Sequence, residues 1–340
     1  MWHKKTTPKI RIKNVKSDIS LTLFALPTMV YIFIFSYIPL VGLIIAFKDY
    51  NAIQGIFGSP WTSKFGFNHF FNFITLPNFK MILKNTLSIS VVSLVVNMIF
   101  PIILALFVNE IKSTAFKNTV KTISYAPYFI STVVVVGMLF AFCDVDSGIL
   151  SKIVSNIKGE SVDLMSSASA FLPIYIISGL WQGLGWSSII YIGTLANVDP
   201  CLHEAAVIDG ASRLKRILHI NLPSIVPMAI VLLIMSVGSI LSVGFDKAYL
   251  MRTAGNLEVS QIISTYSYEV SLFSKIPQYS YATAIGLFNS IINIILTTQS
   301  NYFFNITMIN YKDKSTIFII NAFIYTSKYN IFNITSKISK

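Results

Sequence analysis

The sequence predicts an all-α integral membrane protein with six transmembrane helices and a short surface helix between the fourth and fifth. Three observations carry that expectation. The chain of 340 residues is 54% hydrophobic and only 12% charged, about half the charged share of a soluble domain. Six stretches free of Asp, Glu, Lys, Arg and His approach or exceed the roughly 20 residues that a helix needs to cross a bilayer. The basic residues behind the net charge of +12 sit at the ends of those stretches, not on one soluble face. That distribution follows membrane orientation and argues against a nucleic-acid partner.

In chain order, the first span lies within 19–47, between Asp18 and Lys48, and the second within 85–109, between Lys84 and Glu110. The third lies within 122–143, the fourth within 170–196, the fifth within 224–245 and the sixth within 280–297. Prolines 27, 39, 101, 127 and 173 fall inside or at the ends of these stretches, where neighbouring helices re-satisfy the freed carbonyls. The apolar run after the basic N-terminus is too long for a signal peptide, so it reads as a retained first helix.

Lys and Arg set the orientation. Residues 1–18 form a basic arm with Lys4, Lys5, Lys9, Arg11, Lys13 and Lys16. Lys112, Lys117 and Lys121 follow the second span, and Arg213, Lys215 and Arg216 follow the fourth. The segments 48–84 and 144–169 are poorer in basic residues for their length. The N-terminus and the 197–223 loop are therefore expected on the cytoplasmic side of a plasma membrane, with lipid around the spans. Cys143 and Cys201 then fall on opposite faces, as two unpaired thiols. The aromatic-rich 48–84 loop, with Trp61, Phe67, Phe70, Phe71 and Phe73, fits either part of an outer docking surface or an interfacial aromatic cap.

The loop between the fourth and fifth spans carries the sharpest pattern. Asp199-Pro200 reads as a helix N-cap followed by proline at the first helical position. Residues 201–209 then form a short surface helix, on which Ala205 and Ala206 leave room for a partner. Gly210 permits the positive φ that ends such a helix. Pro223 sets the direction of the fifth span.

Glu204-Ala205-Ala206, Asp209-Gly210, Ile220 and Leu222-Pro223 keep the spacing of the cytoplasmic signature loop of the membrane subunits of binding-protein-dependent ABC importers. Further stretches resemble one subfamily of carbohydrate-uptake permeases, the polysaccharide or aldouronate-like oligosaccharide type. Among them are Ala46-Phe-Lys-Asp-Tyr-Asn, Asn109-Glu-Ile-Lys, Thr122-Ile-Ser-Tyr-Ala-Pro and Pro173-Ile-Tyr-Ile-Ile-Ser-Gly-Leu-Trp181. The resemblance spans about residues 17–297. It implies the type I importer permease fold and a second permease subunit as partner. It also implies two ATP-binding subunits that dock on Glu204 and its neighbours, and an extracytoplasmic sugar-binding lipoprotein. ATP would be used by those partners, with no cofactor bound by this chain.

Residues 19–297 thus form the expected transmembrane domain. After Thr297 the composition shifts to Ile, Asn, Phe, Lys and Tyr, with no Pro after Pro277 and no Gly after Gly286. That shift marks 298–340 as an atypical tail with the character of a frameshift product. Asn305 and Asn333 head glycosylation-like triplets, which carry no weight in a cytoplasmic tail.

A sugar path calls for hydrogen-bonding side chains and aromatic faces, without buried charge. Trp181, Gln182, Gly183 and Trp186 on the fourth span and Ser236 on the fifth are the candidates, with Tyr191, Ser239 and Asn97 beside them. Small residues and tryptophans also pack helices, so a purely structural role stays open. An ion-coupled secondary transporter is the main rival, but such proteins carry ionisable residues within their spans. An enzyme is not expected: there is no His-Glu-x-x-His, Gly-x-Ser-x-Gly, Cys-x-x-Cys or phosphate loop, and His3, His69, His203 and His219 are scattered rather than set as metal ligands.

Overall fold

The computed structural model describes residues 15–311 apart from Val243. The basic arm before residue 15 and the tail after residue 311, including Asn333, lie outside the described residues. Among those described, the regular structure is helical, with one isolated β-bridge between Lys48 and Trp61. The frame is built from α1 (Val15–Ile32), α2 (Asn68–Ile74), α3 (Phe79–Glu110), α4 (Thr114–Tyr125), α5 (Thr132–Phe142), α6 (Ile149–Lys158), α7 (Ala168–Ala196), α8 (Pro200–Ile208), α9 (Leu222–Val237), α10 (Phe245–Leu250), α11 (Ile263–Leu272) and α12 (Tyr279–Tyr311).

Among the described residues, four helical stretches are long and apolar enough to cross a membrane: Leu23–Phe47, Phe79–Glu110, Arg213–Val237 and Tyr279–Phe303. A fifth is added if the bent pair Thr114–Phe129 and Thr132–Phe142 counts as one span. The first two expected spans are there. The first is distorted where the chain reaches Pro39, passing through a π turn at Phe33–Tyr37 into a 3₁₀ stretch at Ile38–Phe47. Proline has no N–H to give, and its ring crowds the preceding turn.

The third expected span is broken. The chain bends by 94° between Phe129 and Thr132, after Pro127 opens a 3₁₀ turn and Ser131 caps the new helix by accepting from Val134 N–H. The 11 residues of α5 are about 16 Å of helix, half of a roughly 30 Å hydrocarbon core. The fourth expected span, α7, has 29 residues and length to spare. Gln182, four serines and four glycines keep it below the apolarity of the other spans. The fifth does not run on to 245. It ends at Val237, ahead of Gly238 and Ser239, and the chain turns through Gly244, at φ +60°, into α10. Helix α12 extends beyond Thr297 to Tyr311.

Helices α3 and α7 pack along one another as the central pair. Ala105, Tyr191, Leu195, Ile225 and Ala229 tie α9 to them. A second cluster joins α2, α3, α11 and α12 through Phe73, Phe79, Ile82, Ile263 and Ile285. A third gathers Ile89, Val136, Phe171, Met251 and Ile262. Buried amides stitch the irregular 251–262 segment to this frame. Asn85 donates to the Glu258 and Gln261 carbonyls, and Asn256 to those of Met165 and Met251. In the 48–84 loop Lys48 is buried and donates to the Ile56 and Phe57 carbonyls, while Phe65 and much of Trp61 stay exposed. The first span buries almost none of its own surface within this chain.

Candidate functional site

The segment from Asp199 to Pro223 is assembled by local signals. Asp199 accepts from the Cys201 N–H at 2.9 Å, and Pro200 occupies the first turn, where no N–H is missed. The helix so started, α8, ends at Ile208 and is closed by Gly210, whose φ is +74°. There the Gly210 N–H donates to the Val207 carbonyl and the Ala211 N–H to that of Ala206, closing the last turn. Ser212 caps the next short helix, Arg213–Arg216. A π turn at Ile217–Asn221 takes up the defect imposed by Pro223, and the helix continues as α9.

Glu204, Ala205, Asp209 and Gly210 are exposed, and Ala206, Ile220, Leu222 and Pro223 are partly buried. Leu202, Val207 and Ile208 expose apolar surface on the same short helix. A capped, rigid helix that shows apolar side chains around a carboxylate has the make-up of a contact surface. At the far end Asn221, buried, donates to the Glu110 carboxylate at 3.4 Å. Two stretches of sequence 111 residues apart thereby join α9 to the end of α3.

The tryptophan-rich run on α7 has a different arrangement. Gln182, Gly185 and Trp186 are spaced to share one helix face, and that face seats the break between α4 and α5. The Gln182 amide donates to the Ile130 carbonyl at 2.8 Å, a group that the bend leaves without a helical partner. A β-carbon at Gly185 would overlap the Ser124 carbonyl. Trp186 stacks face to face on Tyr128, with centroids 4.4 Å apart and planes 4° from parallel.

Beside this seat, α3, α7, α9 and α10 line an open-sided cavity of about 630 Å³. Trp186 and Ser236 line it, as do Tyr191, Ser239 and Asn97; Trp181, Gln182 and Gly183 do not. Ser236 and Ser90 donate to carbonyls of their own helices, which leaves their oxygens able to accept. The expectation of a lining without charge is corrected by Lys247 on α10. This residue is 8% exposed and lines the cavity. Its ammonium donates to the Tyr175 carbonyl at 2.8 Å and lies 4.9 Å from the centre of the Tyr175 ring. Lys247 lies outside the spanning helices, and burial pushes its pKa down to about 8, so it is still mostly cationic at neutral pH. In the sequence, the acid beside it, Asp246, makes position 247 look like the end of a span. Burial there arises from packing against α7, which no local pattern encodes.

Residues 97–306 match the family described as binding-protein-dependent transport system inner membrane component. Over 301 residues the chain is 38% identical to the polygalacturonan/rhamnogalacturonan transport system permease protein YteP of Bacillus subtilis (strain 168), covering 88% of this chain and 92% of that one. It is 39% identical over 288 residues to Protein LplB of the same organism, across 85% of this chain and 89% of LplB. Among solved structures it is similar to a chain of a bacterial ABC transporter involved in the import of the acidic polysaccharide alginate. The TM-score is 0.77 and the identity 36%, covering 86% of this chain and 96% of that chain.

Proposed function

Because the chain belongs to the family of binding-protein-dependent transport system inner membrane components, we propose that it is one permease subunit of an ATP-driven oligosaccharide importer. It crosses the plasma membrane six times with its N-terminus in the cytoplasm, and α8 is its coupling helix. A second permease completes the translocation path. Two ATP-binding subunits receive Glu204, Ala205 and Ala206 on the cytoplasmic face. A sugar-binding lipoprotein delivers substrate from outside, and ATP is consumed by the partner subunits.

The observation that carries this reading is the build of α8. It is capped at both ends, exposed over most of its length and linked by a short helix and a π turn to α9, whose start is tied to α3 through Asn221 and Glu110. A push on such a helix is passed on as a rigid-body movement. ATP and the loaded lipoprotein each favour the same conformer of the permease pair, which couples two sites on opposite membrane faces. The serine hydroxyls and the Trp186 face suit a hydroxyl-rich sugar ring. An ion-coupled secondary transporter finds no support among the relatives.

Affinity purification of the chain from native membranes in mild detergent, with mass spectrometry of everything recovered, tests the assembly. A second permease, an ATPase and a lipoprotein in the eluate are expected. Recovery of the chain alone from stable, folded material would refute it.

A further inference from the structure

Among the described residues, Lys247 contributes the only charged side chain to the cavity lining, and no carboxylate pairs with it. The Tyr175 carbonyl takes one of its three N–H donors, and the Tyr175 ring lies under the cation. A β-carbon at position 179 would come within 3.2 Å of the ammonium, so Gly179, another lining residue, keeps the approach open. A buried ammonium without a counter-ion is costly. An anion that enters the cavity offsets this cost, whereas a neutral sugar does not.

We infer that Lys247 is a specificity-determining residue of this cavity, the group that receives a sugar carboxylate in transit and so favours acidic over neutral oligosaccharides. The inference rests on the reading of the chain as an oligosaccharide permease. The surroundings fit such a ligand. Trp186 offers a face for the pyranose ring, Ser90 and Ser236 offer acceptors for hydroxyls, and Lys247 answers the one group that a neutral sugar lacks. A charge-assisted hydrogen bond is short and directional, so Lys247 sets specificity.

The competing role for Lys247 is that of a strut between α10 and the Tyr175 carbonyl. A strut would matter equally for any cargo, so the test compares cargoes. The intact importer, purified from its native membranes, is reconstituted into vesicles with the wild-type, Lys247→Arg or Lys247→Met chain. Uptake is measured for oligogalacturonates and oligomannuronates and for their methyl esters, which keep ring and length but lose the charge. The binding protein is the same in every preparation, so its preference cancels when a variant is compared with wild type.

Lys247→Met is expected to lower uptake of the acids by roughly tenfold or more while leaving ester uptake at the wild-type rate, and Lys247→Arg to retain most acid uptake. Parallel loss of acid and ester, or unchanged acid uptake in Lys247→Met, overturns the role of Lys247 and leaves the permease reading intact. ATP-dependent uptake of neutral oligosaccharides by wild type, with uronates refused, likewise overturns the role of Lys247 alone. Failure of wild type to move any sugar with ATP overturns the permease reading itself, and this inference with it.

Discussion

The segment 199–223 and the cavity wall around Trp186 and Lys247 are built in opposite ways. In the first, nearly every defining contact is made within a few residues: Asp199 to Cys201, Gly210 to Val207, Ser212 to Lys215. In the second, the contacts join residues far apart in the chain: Gln182 to Ile130, Lys247 to Tyr175, Trp186 to Tyr128. An element that its own chain leaves largely exposed cannot be stiffened by burial, so it is stiffened by caps and turns. A wall that must hold a cavity open against lipid is stiffened by interlocking helices. The two are linked where Asn221 meets Glu110.

That contrast can be broken deliberately. The largest effect is expected for Gly185→Leu, because the Ser124 carbonyl occupies the space the side chain would need. Overpacking at a backbone contact costs about 3 kcal/mol or more, and the thermal melt of the purified complex should drop sharply. Glu204→Lys comes next. It reverses an exposed charge that has no ion-pair partner among the described residues. Membrane insertion and melting temperature should stay at wild-type values, while ATP-driven uptake falls by roughly tenfold or more. Normal uptake by this variant would sever α8 from coupling.

Gln182→Leu removes the donor that satisfies the Ile130 carbonyl at the 94° bend. An unpaired buried acceptor costs about 1–3 kcal/mol. Stability should fall by that amount, lowering the melt, with α4 and α5 exchanging amide hydrogens faster. The smallest effect is that of Asp199→Ala, a lost N-cap worth about 1 kcal/mol. It should raise amide exchange in α8 alone and leave the cavity wall untouched. A shift spread over the whole molecule would show that the two regions are less separable than their contacts indicate.

The same difference explains which parts are legible in the sequence. Helix α8 can be read almost to the residue, as 201–209 against Pro200–Ile208, since Asp-Pro at one end and Gly at the other act through the backbone beside them. Charge-free length reveals α3 and α12 for the same reason. The run Trp181 to Trp186 is visible as unusual, but its use is not. That Gln182 answers a carbonyl 52 residues away depends on the break, and the break depends on Pro127 and Ser131 winning over an apolar run that would otherwise continue. Lys247 is hidden more completely. Next to Asp246 it resembles an ordinary span terminus, and only the return of α10 against Tyr175, across 72 residues, buries it. No pattern within one helix records such a contact.

The most direct test of the permease assignment is uptake of a labelled oligosaccharide by vesicles that contain the purified complex and its binding protein, with and without internal ATP and with ionophores to collapse ion gradients. Uptake that needs ATP, ignores ionophores and disappears with Glu204→Lys in a fully assembled complex is the predicted result. Uptake that proceeds without ATP and stops when an ion gradient is collapsed would contradict it.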